Sequence, residues 1–398
     1  MMAPYVGVYA VQMGASPAEM GWLQSLANLS GNTMQFAWGT AMDRIGRPVL
    51  FVLLGGILGG SLWLPLLFVS NPQQIIIVVF LQGLFLSMTG PSSLAVYDDL
   101  VPRSKRSEGV ARLHSAWMIG VIPATLLSGY LMSQTKDNLK AMYFSPIIVA
   151  AILRAGAALL LWPMMRREKG GAHRSTRGVF HNIGTILENP ALRIMYIVSF
   201  FEGLFMSCAW PLFPIANVTI TKNDMFFIAL LSTSNTLVSS LTRPYFGRLA
   251  DRFGKRPILV LGRLGIALFP LFYALATEPW HLLIINAFGG LFMVVESVTQ
   301  AYILENSQPE WVGTSLSFYA VLYGVATFLG SLTGGYLANE LLIQGFKQRD
   351  ALGAVFLFSA TGRAVSALTY GKLKEEPKPI PLPFKKPRIP GITCSYAQ

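Results

Sequence analysis

Two short strings of the sequence, GTAMDRIGRP at Gly39 to Pro48 and GRLADRFGKRP at Gly247 to Pro257, are near copies of each other. Their aspartates, Asp43 and Asp251, are 208 residues apart. Each string follows one long apolar segment and precedes the next, so the two copies occupy the same place in two hydrophobic halves. The chain is therefore predicted to be a duplicated bundle of membrane helices with both strings on one side.

The composition is that of a membrane protein. Of the 398 residues, 53% are hydrophobic and 13% are charged, and the mean hydropathy is +0.50. Ordinary soluble domains contain about 25% charged residues. Apolar runs of about 20 residues, the length that crosses a bilayer as a helix, recur between short polar turns. These features exclude a water-soluble globular fold.

Eleven segments are long enough to span a membrane, and they are 18–41, 49–70, 75–97, 109–133, 141–165, 191–214, 225–247, 257–276, 280–303, 312–339 and 351–371. A shorter apolar segment, Met1 to Met13, precedes them and would reach only about 20 Å as a helix. We number this segment span 1 and the others spans 2 to 12. We expect the true start of the chain to lie upstream of Met1, the alternative being a naturally short helix.

The repeat extends beyond the two strings. Matching residues are separated by 206 to 209 positions throughout. The pairs are Gly83 and Gly290, Asp98 and Glu305, Pro102 and Pro309, Gly129 and Gly335, and Arg154 and Arg363. Such a repeat predicts two parallel six-helix halves, related by an axis along the membrane normal, with a substrate site between them near the midplane.

This arrangement resembles the major facilitator superfamily of secondary transporters. The resemblance implies an all-α membrane protein with that family's fold, in which two parallel six-helix bundles supply twelve transmembrane helices, the first of them truncated here. The predicted domains are an N-terminal bundle at 1–165 with helix 1 incomplete, a cytoplasmic linker at 166–190, a C-terminal bundle at 191–371, and a disordered Pro/Lys-rich cytoplasmic tail at 372–398. The resemblance covers nearly the whole chain but does not specify a substrate.

The resemblance makes the two strings a conformational switch. Glycine allows two helices to approach closely, and an aspartate at a helix end can accept from a facing helix N-terminus in one conformation only. The switch residues are Gly39, Asp43, Arg44, Gly46, Arg47, Gly247, Asp251, Arg252, Gly254, Lys255 and Arg256. By position, Arg47 is expected to meet Asp98 or Asp99, and Lys255 or Arg256 is expected to meet Glu305. The alternative is a tight charged turn with no switching role.

Two glutamates lie inside predicted spans, where an ionisable group costs about 2.5–3.5 kcal/mol on insertion scales. Glu202 lies roughly 17 Å along span 7, close to the midplane, and Glu296 in span 10 replaces Thr89 of the first repeat. In the family, helices 1, 4, 7 and 10 line the central path. Both acids are therefore candidates for proton coupling or cation contact, unless a structural arginine neutralises them or they are simply held protonated. Gln82 and Thr89 are candidates for substrate contact, with helix packing as the alternative.

The lysines and arginines of the predicted loops are concentrated on the side of the two strings, in the linker and in the tail. The positive-inside rule places these segments in the cytoplasm, and we expect a multi-pass protein of the plasma membrane. The net charge of +12 is mostly this orientation signal. The basic residues do not alternate with aromatic residues on a soluble domain, so no nucleic-acid partner is expected.

We interpret the chain as a secondary active transporter that moves a small solute by alternating access and is coupled to protons. The alternatives are a proton-exchanging exporter of amphipathic compounds and a transporter-like sensor that moves no solute. Val79 stands where the family's drug and proton antiporters carry an arginine, which counts against antiport. The four histidines form no catalytic or metal-binding motif, so we expect no enzyme activity, cofactor or metal. The expected partners are the solute, protons and the bilayer, with the monomer as the functional unit.

Overall fold

The computed structural model describes residues 2–100, 106–135, 138–167, 183–308 and 311–374, and these ranges contain α-helices, short 3₁₀ turns and no strand. The first half contains α1 (Ala3–Gln12), α2 (Pro17–Ile45), α3 (Pro48–Ser61), α4 (Pro72–Leu86), α5 (Thr89–Leu100), α6 (Arg106–Ser133), α7 (Leu139–Leu159) and α8 (Trp162–Arg167). The second half, with α9 at its start, contains α9 (Ile183–Glu188), α10 (Pro190–Cys208), α11 (Phe213–Thr221), α12 (Met225–Phe253), α13 (Lys255–Leu275), α14 (Pro279–Phe292), α15 (Val295–Asn306), α16 (Val312–Ile343) and α17 (Gln348–Thr369). Most of the predicted linker and tail, at 168–182 and 375–398, lies outside the described residues.

Spans 4, 7 and 10 are each interrupted and built from two helices, α4 and α5, α10 and α11, and α14 and α15. Within the described residues, ten helical segments are long and apolar enough to cross a membrane. Span 2 is not one of the ten, although α2 has 29 residues. Polar residues make the mean hydropathy of α2 low. Two of them, Ser25 and Asn28, contact α16 of the other half.

Each string breaks the chain between two helices at a glycine with positive φ. Gly46 follows α2 with φ 67°, and Gly254 follows α12 with φ 93°. Positive φ values of this kind favour glycine, because a Cβ atom would be strained there. The two turns differ in ψ, which is 30° at Gly46 and 159° at Gly254. A proline then lies within the first turn of the next helix, at Pro48 in α3 and Pro257 in α13.

The halves share one hydrophobic core at the end opposite the strings. Its fully buried members include Tyr5 and Tyr9 of α1, Tyr143 of α7, Ile215 of α11 and Phe356 of α17. At the string end, by contrast, each half has its own cluster. These clusters are centred on Met42, Phe51 and Met88 in the first half and on Tyr196, Leu259 and Tyr302 in the second. Within the described residues, the two halves therefore share a core at one end of the bundle and have separate cores at the other.

Small residues bring α2 and α16 together at the joined end. A Cβ atom placed on Gly335 would lie 2.6 Å from the carbonyl oxygen of Pro17 and 2.7 Å from the Cα atom of Gly21. Ser25 donates to the carbonyl oxygen of Phe328 at 2.8 Å across the same contact. Backbone contact at this distance leaves no space for water or solute, so the bundle is closed at this end.

This contact predicts the effect of a single methyl group. Gly335→Ala should push α2 and α16 apart, at the cost of about 1–3 kcal/mol that overpacking usually carries. A cysteine introduced at Ser25, in a background with Cys208→Ser and Cys394→Ser, should then react faster with a water-soluble maleimide.

The matched control is Gly353→Ala on α17, where a Cβ atom would meet nothing within 4 Å. This change should leave the labelling rate at position 25 as it was. Equal labelling of the Gly335 and Gly353 variants would contradict the assignment of the closed contact.

Candidate functional site

A buried arginine, Arg263 of α13, joins several helices of the second half. Its Nη1 atom donates to Oε1 of Glu202 on α10 at 2.8 Å. Its Nη2 atom donates to Oε2 of Glu296 at 3.3 Å and to Oγ1 of Thr299 at 2.8 Å, both on α15. The guanidinium also lies 5.5 Å from the ring centroid of Tyr370, just beyond α17. We call Arg263, Glu202, Glu296 and Thr299 the Arg263 network.

One end of the network is buried and the other end is partly exposed. The side chains of Arg263 and Glu202 are each 2% exposed, whereas that of Glu296 is 40% exposed. Burying an ion pair carries a large desolvation cost, which is repaid only when the remaining polar atoms are hydrogen-bonded. Glu202 meets this condition because its Oε2 atom also accepts from the Tyr370 hydroxyl at 3.4 Å, whereas the Nε atom of Arg263 has no hydrogen-bond partner among the described residues.

In this geometry an arginine neutralises Glu202, which is the alternative that the sequence left open. The arginine is Arg263, a residue that the sequence pattern did not single out. The sequence does show an arginine inside span 9, at 257–276. Placing it in the membrane carries an insertion cost, as it does for the two glutamates. A single sequence does not show which acid such an arginine contacts.

The exposed end of the network has an aromatic wall. Glu296 accepts from the hydroxyl of Tyr319 on α16 at 3.0 Å. Tyr319 stacks on Tyr323, one turn further along α16, with ring centroids 5.7 Å apart and an interplanar angle of 23°. A partly exposed carboxylate beside two aromatic faces can take up a proton, and it can also attract an organic cation.

Two residues of the network have a different counterpart in the first half. Gly262 packs on Val295 as Gly55 packs on Met88, and this shared contact fixes the alignment of the two halves. Arg263 follows Gly262, so its counterpart is Gly56, and the counterpart of Glu296 is Thr89. The arginine and the exposed acid of the network are therefore not repeated in the first half.

The two polar candidates of span 4 donate to main-chain carbonyls. Gln82 is buried, and its Nε2 atom donates to the carbonyl oxygen of Gly59 at 3.2 Å, which ties α4 to α3. The Thr89 hydroxyl donates to the carbonyl oxygen of Leu86 at 2.8 Å, across the interruption between α4 and α5. In this conformation both side chains support the helix backbone, which is the packing alternative.

The strings are partly described. The structure brings together Lys255 and Glu305 as an ion pair. The side chains of Asp43, Asp98 and Asp99 lie outside the described part, and so does the expected pairing of Arg47. The exposed members of the charged switch residues with described side chains are Arg44, Arg47, Asp251, Arg252 and Arg256.

The expected close approach at the first glycine of each string is absent in this conformation. The nearest atom to a Cβ placed on Gly39 would be Cβ of Pro91, at an ordinary 3.9 Å, and a Cβ on Gly247 would meet nothing within 4 Å. The close approach at Gly39 and Gly247, expected in one conformation only, therefore stays a prediction for another state of the bundle. Within the described residues, each half has its own core at the string end.

Comparison with known sequences gives a family and relatives along most of the chain. The family model described as Major Facilitator Superfamily matches residues 1–201 and 195–393. The multidrug resistance protein MdtG of Proteus mirabilis is 25% identical over 382 residues, which cover 90% of this chain and 88% of that protein. A probable peptide/nitrate transporter of Arabidopsis thaliana is 30% identical over 153 residues, which cover 37% of this chain and only 32% of the plant protein's length.

Solved structures show the same fold. The nucleoside transporter NupG superposes with a TM-score of 0.73 at 12% identity, covering 93% of this chain and 94% of NupG. A bacterial homolog of the human lysosomal transporter Spinster, solved in an inward-facing and unoccupied conformation, superposes with a TM-score of 0.68 at 13% identity, covering 94% and 96%. With the family model matched in both halves, the chain belongs to the Major Facilitator Superfamily and is a multi-pass membrane protein.

Proposed function

We propose that this protein is a secondary active transporter of the plasma membrane that moves a small solute by alternating access, with the Arg263 network coupling transport to protons. One observation carries the proposal: a buried network of charges with a single exposed end, Glu296, in a bundle closed at one end only. The proposed architecture keeps the bundle boundaries predicted above, at 1–165 and 191–371, and a monomer as the functional unit.

The closed end supports an inward-facing state. Both strings lie at the separate end of the bundle, and the basic residues near them favour the cytoplasm as the compartment they face. Solute would then enter from the cytoplasm between the halves, while the α2–α16 contact seals the outer side. Transport requires that this contact opens as the string end closes.

The strings are proposed as the switch that closes the inner side. Lys255 already pairs with Glu305 within the second half, so it can hold the end of α15 against α13. Asp251 is exposed here and would find a partner only when the two halves approach at the string end. Such a contact would stabilise the outward-facing state alone.

Protonation of Glu296 would change the charge of the network. With both carboxylates ionised, the Arg263 network carries one net negative charge, and a proton on Glu296 makes it neutral. A net charge is costly to enclose in a low-dielectric bundle. The neutral form is therefore suited to states in which the site is enclosed, and the charged form to states in which Glu296 reaches water.

A second candidate function is export of amphipathic compounds in exchange for protons. The stacked Tyr319 and Tyr323 beside Glu296 favour it, because aromatic faces and a carboxylate together attract lipophilic cations. The MdtG relative named for multidrug resistance points the same way. A thermal-shift screen of the purified protein distinguishes the candidates, since a ligand at 100 times its Kd stabilises by about 2.7 kcal/mol. Stabilisation by lipophilic cations favours export, and stabilisation by sugars, organic acids or amino acids favours a metabolite carrier.

The coupling role predicts a specific defect. Glu296→Gln fixes the network in a neutral form, so reconstituted protein should lose solute accumulation driven by a pH gradient. It should retain counterflow, in which labelled and unlabelled solute exchange without net proton movement. Glu340→Gln, a change at an exposed position of α16, is the control and should keep both activities. Full pH-driven accumulation by a folded Glu296→Gln protein would refute the role.

The buried ion pair of Glu202 and Arg263 predicts an effect on the stability of the protein. Glu202→Gln removes the buried partner of Arg263, and breaking a buried pair usually costs about 3–5 kcal/mol. Thermal unfolding in detergent should show a clear loss of stability. Adding Arg263→Gln should restore part of it, because the buried guanidinium that lost its partner is then removed and the remaining charge, on Glu296, is partly exposed. Unchanged unfolding of Glu202→Gln would show that the ion pair does not form in the membrane protein.

A further inference from the structure

The interruption of span 7 is capped by side chains from two other helices. α10 ends at Cys208, ahead of Pro211, and the last four carbonyls of any α-helix have no partner within the helix. Three of them accept from outside: the Phe205 carbonyl from Ser359 at 2.7 Å, the Met206 carbonyl from Arg363 at 2.5 Å, and the Ser207 carbonyl from Ser331 at 3.3 Å. The end of α10 is thus held by α16 and α17.

Arg363 also serves a second interruption. Pro270 in α13 has no N–H group, so the carbonyl of Ile266, four residues earlier, has no partner within its helix. The Nη1 atom of Arg363 donates to that carbonyl oxygen at 3.2 Å. One buried guanidinium therefore satisfies carbonyls on two helices, and its positive charge lies at the negative end of the α10 dipole.

These two carbonyls lie close to the ion pair of the Arg263 network. Met206 follows Glu202 by four residues on α10, and Ile266 follows Arg263 by three residues on α13. Each separation is about one helical turn, or roughly 5.4 Å. Arg363 therefore sets the spacing of α10 and α13 one turn away from the contact between Glu202 and Arg263.

On the other side of the interruption, α11 takes part in the closure of the bundle. Ile215 and Ala216 of α11 are buried in the core that both halves share. A Cβ atom placed on Gly7 of α1 would lie 2.8 Å from Cγ of Pro214, so the two halves are in tight contact here. The segment capped by Arg363 thus lies between the network and the closed end.

We propose that Arg363 is a positioning residue that links the Arg263 network to the α11–α1 contact, so that a change of charge at Glu296 alters closure of the outer end through the capped interruption of span 7. This inference rests on the proposed function for the meaning of that link. A change in the network shifts α10 relative to α13, Arg363 transmits the shift to the end of α10, and α11 moves relative to α1.

The test is a double-mutant cycle read out as outer closure. Ala216→Cys is introduced into the full chain with Cys208→Ser and Cys394→Ser, and its rate of labelling by a membrane-impermeant maleimide is measured in proteoliposomes. Glu296→Gln, Arg363→Gln and their combination are compared. We expect Glu296→Gln to change the labelling rate by more than about twofold. The effects of substitutions at independent sites usually add to within about that factor. That change should disappear when Arg363 is replaced.

The matched control is Arg154→Gln, at the equivalent position of the first half. Because no charge network of the described residues adjoins that position, the Glu296→Gln effect should persist in full there. Arg363→Lys provides a second variant if Arg363→Gln does not yield folded protein. It keeps the charge but replaces two spaced donor nitrogens with a single one, which does not reproduce the guanidinium contacts, so the Glu296→Gln effect should again be reduced.

Three results would overturn the inference. They are a labelling rate that Glu296→Gln leaves unchanged, an effect of Glu296→Gln that is the same with and without Arg363, and an equal loss of that effect in Arg154→Gln. The labelling needs no transported solute. Absence of pH-driven transport by the unmodified protein would therefore count against the proposed function, while the cycle would still decide the role of Arg363.

Discussion

A guanidinium buried among apolar helices must be surrounded by acceptors, and this requirement organises the second half of the protein. Arg263 is 2% exposed and contacts carboxylates on α10 and α15 as well as the Thr299 hydroxyl. Arg363 finds its acceptors in main-chain carbonyls that helix interruptions leave unpaired. The two arginines thus hold together the helices that carry Glu202 and Glu296. Their contacts offset part of the free-energy cost of burying charged side chains in the bundle.

The duplicated fold and the charge network are two distinct features of this molecule. Both halves contain a string glycine with positive φ, at Gly46 and Gly254, small residues between neighbouring helices, and an arginine at equivalent positions of spans 6 and 12. The network does not recur, because Gly56 and Thr89 occupy the positions of its arginine and its exposed acid. We infer that the first half provides the surface against which the second half closes, while the second half responds to protons.

The sequence predicts the fold well because its signals are local. Helix lengths, the glycine turns and the family follow from apolar runs, breakers and two repeated strings, and the match of the family model confirms the resemblance. The partners of buried charges are not local. Glu202 and Arg263 are 61 positions apart and meet only through the packing of α10 against α13. The sequence therefore predicts an acid at mid-membrane but not which arginine pairs with it. The expected contacts of the glycines at 39 and 247 depend in the same way on which end of the bundle is closed, so they stay a prediction for another state.

The central claim is that opening and closing of the bundle respond to protonation of the network. Spin labels at Ile45 of α2 and Leu249 of α12, which are exposed near the string end of the two halves, report this directly. Pulsed dipolar spectroscopy of the reconstituted protein should resolve two distances between them, and their populations should change between acidic and alkaline pH. The same pH change should have no effect in a protein with Glu296→Gln. A distance distribution that is identical at all pH values in the unmodified protein would contradict the account.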